Sequence, residues 1–277
     1  MTAQHDAAAR SGVPIVIRNV SKVFGEDSDN PFRALKRVDV EIPAGQFISV
    51  VGASGCGKST LMLMVAGLLA RTTGDIVVNG ATVTKPITDV GIAFQDHLLL
   101  EFRTAFENVM LHADIRRMDR DALARRAKDL FAQLRLTHAM DKYPRQLSGG
   151  MRQRVSLIRT LVHEPSLILM DEPFGALDAL TRLQVRTDLE SLWLRKRPTV
   201  VFITHSVEEA VGLSDRILVM SPSPGEVIDD ITVELKRPRP IVLGDAPEFA
   251  GYVDRIHRHF ERLGILHGQP LAQPTAA

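Results

Sequence analysis

The chain has a single cysteine, Cys56, among 277 residues. An internal disulfide is therefore excluded, which fits a reducing compartment. It has almost no net charge, +1 from 34 basic and 33 acidic side chains, so composition gives no case for a nucleic-acid partner. It has no apolar run near the ~18 residues that a membrane-spanning helix needs. The nearest, Leu61 to Ala70, is too short and is interrupted by Gly67. Met1 to Gly12 lacks the apolar core of a secretory signal, and neither an internal repeat nor a low-complexity tract is visible. Action at a membrane would run through a partner. What remains is an ordinary globular mixture, 45% hydrophobic and 24% charged. Its length suits one large α/β domain, or one domain with a small appendage.

Short apolar runs recur at Phe47–Val51, Leu167–Met170, Val200–Ile203 and Ile217–Met220. Their apolar residues are continuous rather than alternating, as in parallel strands buried on both faces. Helical segments separate several of them, and Ser206 with Glu209 has the spacing of a capping box just after one strand. This is an α/β pattern. From about Leu98 to Gln146 no strand run occurs. Leu123, Ala127, Leu130, Phe131 and Leu134 follow helical spacing there, with Arg125, Arg126, Lys128 and Asp129 off the stripe as a solvated face. Gly25 to Pro31 reads as a loop or hairpin tip. Met1 to Gly12 and Gly268 to Ala277 read as loose ends.

Three motifs carry chemistry. Gly52-Ala53-Ser54-Gly55-Cys56-Gly57-Lys58-Ser59 lies between the run at Phe47–Val51 and a helical run from Thr60. It fits GxxxxGK[ST], in which glycines let backbone N–H groups curl around phosphate oxygens. The next helix adds roughly half a positive charge at its N-terminus. Lys58 can reach the β- and γ-phosphates and Ser59 can coordinate Mg²⁺. Alone, this says only that the chain is a P-loop NTPase. Leu167-Ile168-Leu169-Met170-Asp171-Glu172 is an apolar strand ending in two carboxylates, at the strand end where α/β sheets bind ligands. Asp171 is placed to hold Mg²⁺ and Glu172 to polarise a water, although by itself the pair also reads as an acidic turn. Leu147-Ser148-Gly149-Gly150-Met151 puts a helix N-cap before two glycines, a second cradle for an anion.

Together these motifs resemble the ABC transporter ATPases, with Met151 where the LSGGQ signature has Gln. Gln95, Gly175-Ala176-Leu177-Asp178 and His205 match the family's Q-loop, D-loop and switch histidine, and the likeness covers about Val13 to Pro240. The resemblance implies an α/β ABC ATPase fold: a RecA-like core, an antiparallel β subdomain, and a helical subdomain over about residues 98–160. Residues 241–277 follow as a C-terminal extension. It implies ATP and Mg²⁺ as cofactors, with Glu172 as general base and His205 orienting the attack. Nucleotide contacts are expected at Gly52, Ser54, Gly55, Cys56, Gly57, Lys58, Ser59, Thr60, Gln95 and Asp171, with Mg²⁺ at Ser59, Gln95 and Asp171. Ser148, Gly149 and Gly150 would clamp ATP held by a second ATPase chain packed head to tail, most simply another copy of this one. Phe24 either stacks on adenine or is a core residue.

Phe94–Leu100, Asp178–Arg182 and Leu213–Gly225 resemble the nitrate, sulfonate and taurine importer group, whose usual Pro-Trp is Glu101-Phe102 here. The expected function is to power import of a small anion or organic solute; bicarbonate, pyrimidine-precursor or lipid-related import is the alternative. Partners would be membrane permease subunits and, indirectly, a substrate-binding protein, at the cytoplasmic face of the inner membrane. A soluble ABC ATPase acting on DNA or ribosomes is disfavoured by the single cassette without a coiled-coil insertion. A non-ABC P-loop enzyme is disfavoured by Ser148-Gly149-Gly150 and His205. Cys56 has two readings: a thiolate favoured by the helix end and Lys58, reactive and shielded by nucleotide, or an inert core residue.

Overall fold

The computed structural model describes residues 12–241 and 246–265. Apart from Gly12, the two ends expected to be loose lie outside the described residues. Ten strands form one sheet: β1 (Ile15–Phe24), β2 (Phe32–Ile42), β3 (Phe47–Gly52), β4 (Thr73–Val78), β5 (Ala81–Thr82), β6 (Val90–Ala93), β7 (Leu167–Asp171), β8 (Thr199–Ile203), β9 (Arg216–Met220) and β10 (Gly225–Thr232). Their order is β5-β4-β1-β2-β10-β9-β3-β8-β7-β6. At one end β9, β3, β8, β7 and β6 are parallel. At the other, β1, β2, β4 and β5 pair antiparallel, with Gly25–Pro31 at the tip of the β1–β2 hairpin. β10 joins the halves, antiparallel to β9 and parallel to β2.

The continuous apolar runs have a direct cause. In β8, Val200 and Phe202 enter one buried cluster while Val201 and Ile203 enter another, so neither face offers water to a polar side chain. Phe47 of β3 joins the first cluster, edge-on to Trp193 at 5.7 Å and 79°. A ring pair of this kind adds about 0.5–1.5 kcal/mol beyond its burial. The second cluster receives α1 (Lys58–Val65) through Leu61, Met62, Met64 and Val65.

The first cluster continues into three helices, α2 (Ala105–Arg116), α3 (Arg120–Gln133) and α4 (Gly149–Leu161). α2 starts in a reciprocal capping box, Thr104 Oγ1 accepting from Glu107 N and Glu107 accepting from Thr104 N, which fixes its entry. The α3 stripe Leu123, Ala127, Leu130, Phe131 is buried as the spacing requires, and Leu134 caps its end. One expected surface charge is only partly solvated. Arg126 is half-buried and pairs with Glu164, which also pairs with Lys196 at 2.5 Å. α5 (Ala179–Lys196) covers the same side.

On the remaining side, α6 (Val207–Leu213) and α7 (Pro247–Arg262) pack with β9 and β10. Ser206 caps α6 by accepting from Glu209 N at 3.1 Å. The expected reciprocal bond is absent: the Glu209 carboxylate instead accepts from the Thr204 hydroxyl. Thr204 is buried at the strand end, and its Oγ1 also accepts from the cap backbone Ser206 N at 3.1 Å. Before α7, Arg237 bonds Glu190, Asp215 and Leu213 O and lies 4.5 Å over the Trp193 ring. The segment after β10 is thereby tied to α5 and α6.

Candidate nucleotide site

The parallel half of the sheet places the sequence motifs. β3 is hydrogen-bonded to β8, β8 to β7 and β7 to β6, all in the same direction. The carboxyl ends of four adjacent strands therefore carry the loop after Gly52, His205, the Asp171–Glu172 pair and Gln95 along one edge. This is where an α/β sheet presents its ligand-binding loops.

The loop after β3 turns through Gly55 at φ 76° and Gly57 at φ 100°, left-handed values that cost a side-chain-bearing residue free energy. A Cβ on Gly57 would also lie 2.6 Å from Leu35 Cδ2 and 3.0 Å from Ala34 O. Side chains cap α2 to α6, but α1 starts at Gly57 with no side-chain cap. Its first N–H groups are free of side-chain acceptors, as an anion site requires. Lys58 Nζ donates to Gly52 O at 3.0 Å and Ala53 O at 2.8 Å, folding its ammonium over the same loop. Ser54, Ser59 and Thr60 belong to this loop and to the first turn of α1.

Cys56 corrects one expectation. The residue is fully buried, with its sulfur behind the loop 3.0 Å from where a Gly52 Cβ would stand. Burial pushes the thiol pKa up, against the opposing pull of Lys58. Desolvation of the thiolate outweighs the cation beside it. Burial favours the inert core reading over the reactive thiolate.

Glu172 follows β7 at φ 48°, an uncommon left-handed value for a non-glycine residue. Its N–H donates to Ile203 O at 2.9 Å, which anchors that turn to β8. The turn aims its carboxylate at two neighbours: His205 Nε2 at 2.5 Å from Oε1, and Gln95 Nε2 at 3.5 Å from Oε2. Three residues 33 or more positions apart in sequence thus meet at one carboxylate. Asp171, at the end of β7, has Oδ1 buried without a hydrogen-bond partner. A buried, unpaired carboxylate oxygen is costly, and a cation there would satisfy it. Among the described residues no group of three or more His, Cys, Asp or Glu could hold a metal alone. An oxygen set of Asp171 and Ser59, completed by a phosphate, fits a hard divalent ion such as Mg²⁺.

Ser148 caps α4 by accepting from Met151 N at 3.2 Å. Among the described residues, no neighbour requires a glycine at position 149. A Cβ on Gly149 would come no closer than 4.0 Å to any neighbour, the Ala176 Cβ. A Cβ on Gly150 would lie 3.2 Å from Leu177 Cδ2, so the motif sits close against the Gly175–Asp178 segment. Asp178 itself caps α5 by accepting from Thr181 N at 3.0 Å. Phe24 ends β1 with 39% of the residue exposed and Lys22 Nζ 4.9 Å from the ring centre. It is not a core residue.

A family model described as ABC transporter matches residues 35–175. The chain belongs to the ABC transporter ATP-binding family. It is 43% identical over 256 residues to an aliphatic sulfonates import ATP-binding protein, SsuB, of Albidiferax ferrireducens, covering 92% of this chain and 86% of the relative. It is 42% identical over 228 residues to the bicarbonate transport ATP-binding protein CmpD of Synechocystis, covering 81% and 80%. The ATP-binding cassette MJ0796, solved as a dimer in a post-hydrolysis state with ADP and Pi, superposes with a TM-score of 0.72 at 29% identity, covering 80% of this chain and all of that one. The expected ABC ATPase fold is thus present, and the chain is an ATP-binding ATPase of this family. No helix among the described residues is long and apolar enough to cross a membrane.

One contact of this cassette has no signal in the sequence. Arg159 of α4 donates to Leu98 O at 2.7 Å and His97 O at 2.9 Å. The segment after Gln95 is thereby tied to the helix that starts at Ser148. An arginine on a helix gives no indication of a carbonyl partner some sixty residues away.

Proposed function

We propose that this chain is the ATP-hydrolysing subunit of an importer for a small anion, working as a pair of identical cassettes. The observation that carries the chemistry is the meeting of Gln95, Glu172 and His205 beside the phosphate loop. The loop amides and Lys58 hold the phosphates. Ser59, Gln95 and Asp171 would hold Mg²⁺, which would offset charge on the phosphate oxygens. Glu172 accepts the proton of the attacking water, and His205, within hydrogen-bond reach of Glu172, helps fix its orientation. Phe24 offers an exposed ring for the adenine face. Ser148, Gly149 and Gly150 serve the ATP of the partner copy, a reading supported by the open space over Gly149 and by the dimeric cassette of similar fold.

The nucleotide-binding unit spans residues 13–240, with 98–160 as its helical part and 241–277 as an extension. A membrane permease would dock beside Gln95, where Leu98 is 54% and Phe102 74% exposed. That apolar exposure suits a buried interface better than water. The chain would then act at the cytoplasmic face of the inner membrane. Substrate class rests on the sulfonate and bicarbonate importers named above, whose cargoes are small anions.

The test is Glu172→Gln. ATP binding and ATP-dependent dimerisation on a sizing column should persist while turnover falls about 10²–10⁴-fold, the usual cost of losing a general base. Near-normal turnover would remove Glu172 from that role.

A further inference from the structure

Away from the nucleotide site, a cavity of about 350 Å³ opens between α3 on one side and α5 with β8 on the other. That is within the range of small-molecule sites, roughly 300–1,000 Å³. Its floor is apolar, with Leu130, Ile168, Leu189 and Trp193 among its walls. Its rim is charged: three cations, Arg126, Arg195 and Lys196, against two carboxylates, Asp129 and Glu164. The rim therefore carries a net 3 − 2 = +1. Arg126 and Lys196 share the one Glu164 carboxylate, and Arg126 Nε is buried with no acceptor. The rest of the Arg126 guanidinium is accessible from the cavity, its side chain one-third exposed, and can donate to an anionic oxygen there.

We propose that this cavity binds a small amphiphilic anion, a medium-length aliphatic chain ending in a sulfonate or carboxylate. The head group accepts from Arg126 and Lys196, and the chain lies on the partly exposed Leu161 and Leu192, next to the edge of Trp193. Two further facts agree. Burial weakens the hold of Arg126 on its proton, and an anion beside the guanidinium offsets that cost. The site also spans two parts of the molecule, α3 on the side of α2 and α4, and α5 with β8 on the sheet. An occupant therefore touches both.

Trp193 is the chain's one tryptophan, so its fluorescence reports on the cavity. The full-length protein is titrated with octanesulfonate below its micelle concentration, and in parallel with octanol, which has the chain without the charge. Saturable quenching by octanesulfonate is expected, at least about tenfold tighter than by octanol, the value of one charged hydrogen bond. Arg126→Gln should weaken octanesulfonate about tenfold and leave octanol unchanged. If that variant does not fold, Lys196→Gln makes the same comparison. Val200→Phe, which fills the floor, should abolish both responses. No saturable response, equal affinity for octanol and octanesulfonate, or indifference to removal of the cation would each overturn the proposal.

Discussion

In the loop before α1, Gly57 sits at φ 100° with Leu35 and Ala34 O where a side chain would go. At the start of α4, Gly149 has no left-handed angle, and among the described residues an added methyl would meet no neighbour closer than the Ala176 Cβ at 4.0 Å. Both belong to glycine-rich segments proposed above to cradle phosphate. The first glycine is demanded by this chain's own backbone and packing. The second, on the proposed reading, serves the nucleotide of a partner copy. On that reading the contrast separates the half of the site that one copy completes from the half that it lends.

Stability measurements give the largest test of this contrast. Gly57→Ala should cost about 1–3 kcal/mol, the range for a side chain forced into an unfavourable backbone region, and lower the melting temperature by several degrees. Gly149→Ala should stay within about 0.5 kcal/mol of the parent while lowering turnover about tenfold or more, because a methyl displaces the backbone from the phosphate. Equal melting curves for the two variants, or a Gly149→Ala chain that unfolds early, would erase the distinction.

Acidification tests whether the two regions also differ in their response to protons. Beside α2 and α4, His112 and His163 stack at 4.0 Å. Burial, with the nearby charges of Arg116 and Arg159, depresses His112 to about 4. Burial, with His112 and Arg116, depresses His163 to about 3, against small opposing pulls from Val90 O and Asp89. The unfolded chain binds these protons near pH 6.5 and the folded one does not. Stability is therefore lost as pH falls from about 6.5 toward about 4. Beside the phosphate site, Glu209 has its pKa raised by burial, so protonation there favours the folded state as pH falls toward the ordinary carboxylate range. Hydrogen exchange at pH 7, 6 and 5, corrected for intrinsic rates, should show α2 losing protection before β3. Loss in step would mean that the stacked pair does not set the acid response.

The smallest effect is expected at Cys56. Maleimide should label the native chain far more slowly than the urea-unfolded chain, and MgATP should not change the native rate. Fast labelling slowed by nucleotide would restore a sulfur facing the phosphates.

Legibility follows burial. β3, β7, β8 and β9 are readable because both faces are covered, so each run is apolar without interruption. β10 is not: Glu226, Asp229 and Asp230 interrupt it, and its place comes from pairing with β2 and β9. β1 hides its alternation in register shifts around Asn19, which has φ 50°. α7 carries a clear stripe of Phe249, Ile256 and Phe260 inside the stretch that reads only as an extension. In the site, residue types and order point to Lys58, Asp171, Glu172 and His205. The left-handed turn at Glu172 that brings Gln95 and His205 together belongs to sheet order, which no local spacing encodes. Cys56 misleads because the sequence displays its charged neighbour, while the desolvation that outweighs it needs the fold.

The most direct test of the composite site mixes two inactive chains. Ser148→Arg spoils the cradle lent to the partner, and Lys58→Ala spoils the loop that holds the chain's own ATP. Each alone should hydrolyse almost nothing, while Ser148→Arg monomers still bind ATP. In a mixed dimer both lesions fall in one site and leave the other whole. An equal mixture should then recover up to about a quarter of the parent rate, since half the dimers are mixed and each has one good site. A mixture no more active than either variant, or loss of ATP binding by the Ser148→Arg monomer, would contradict a site shared between two copies.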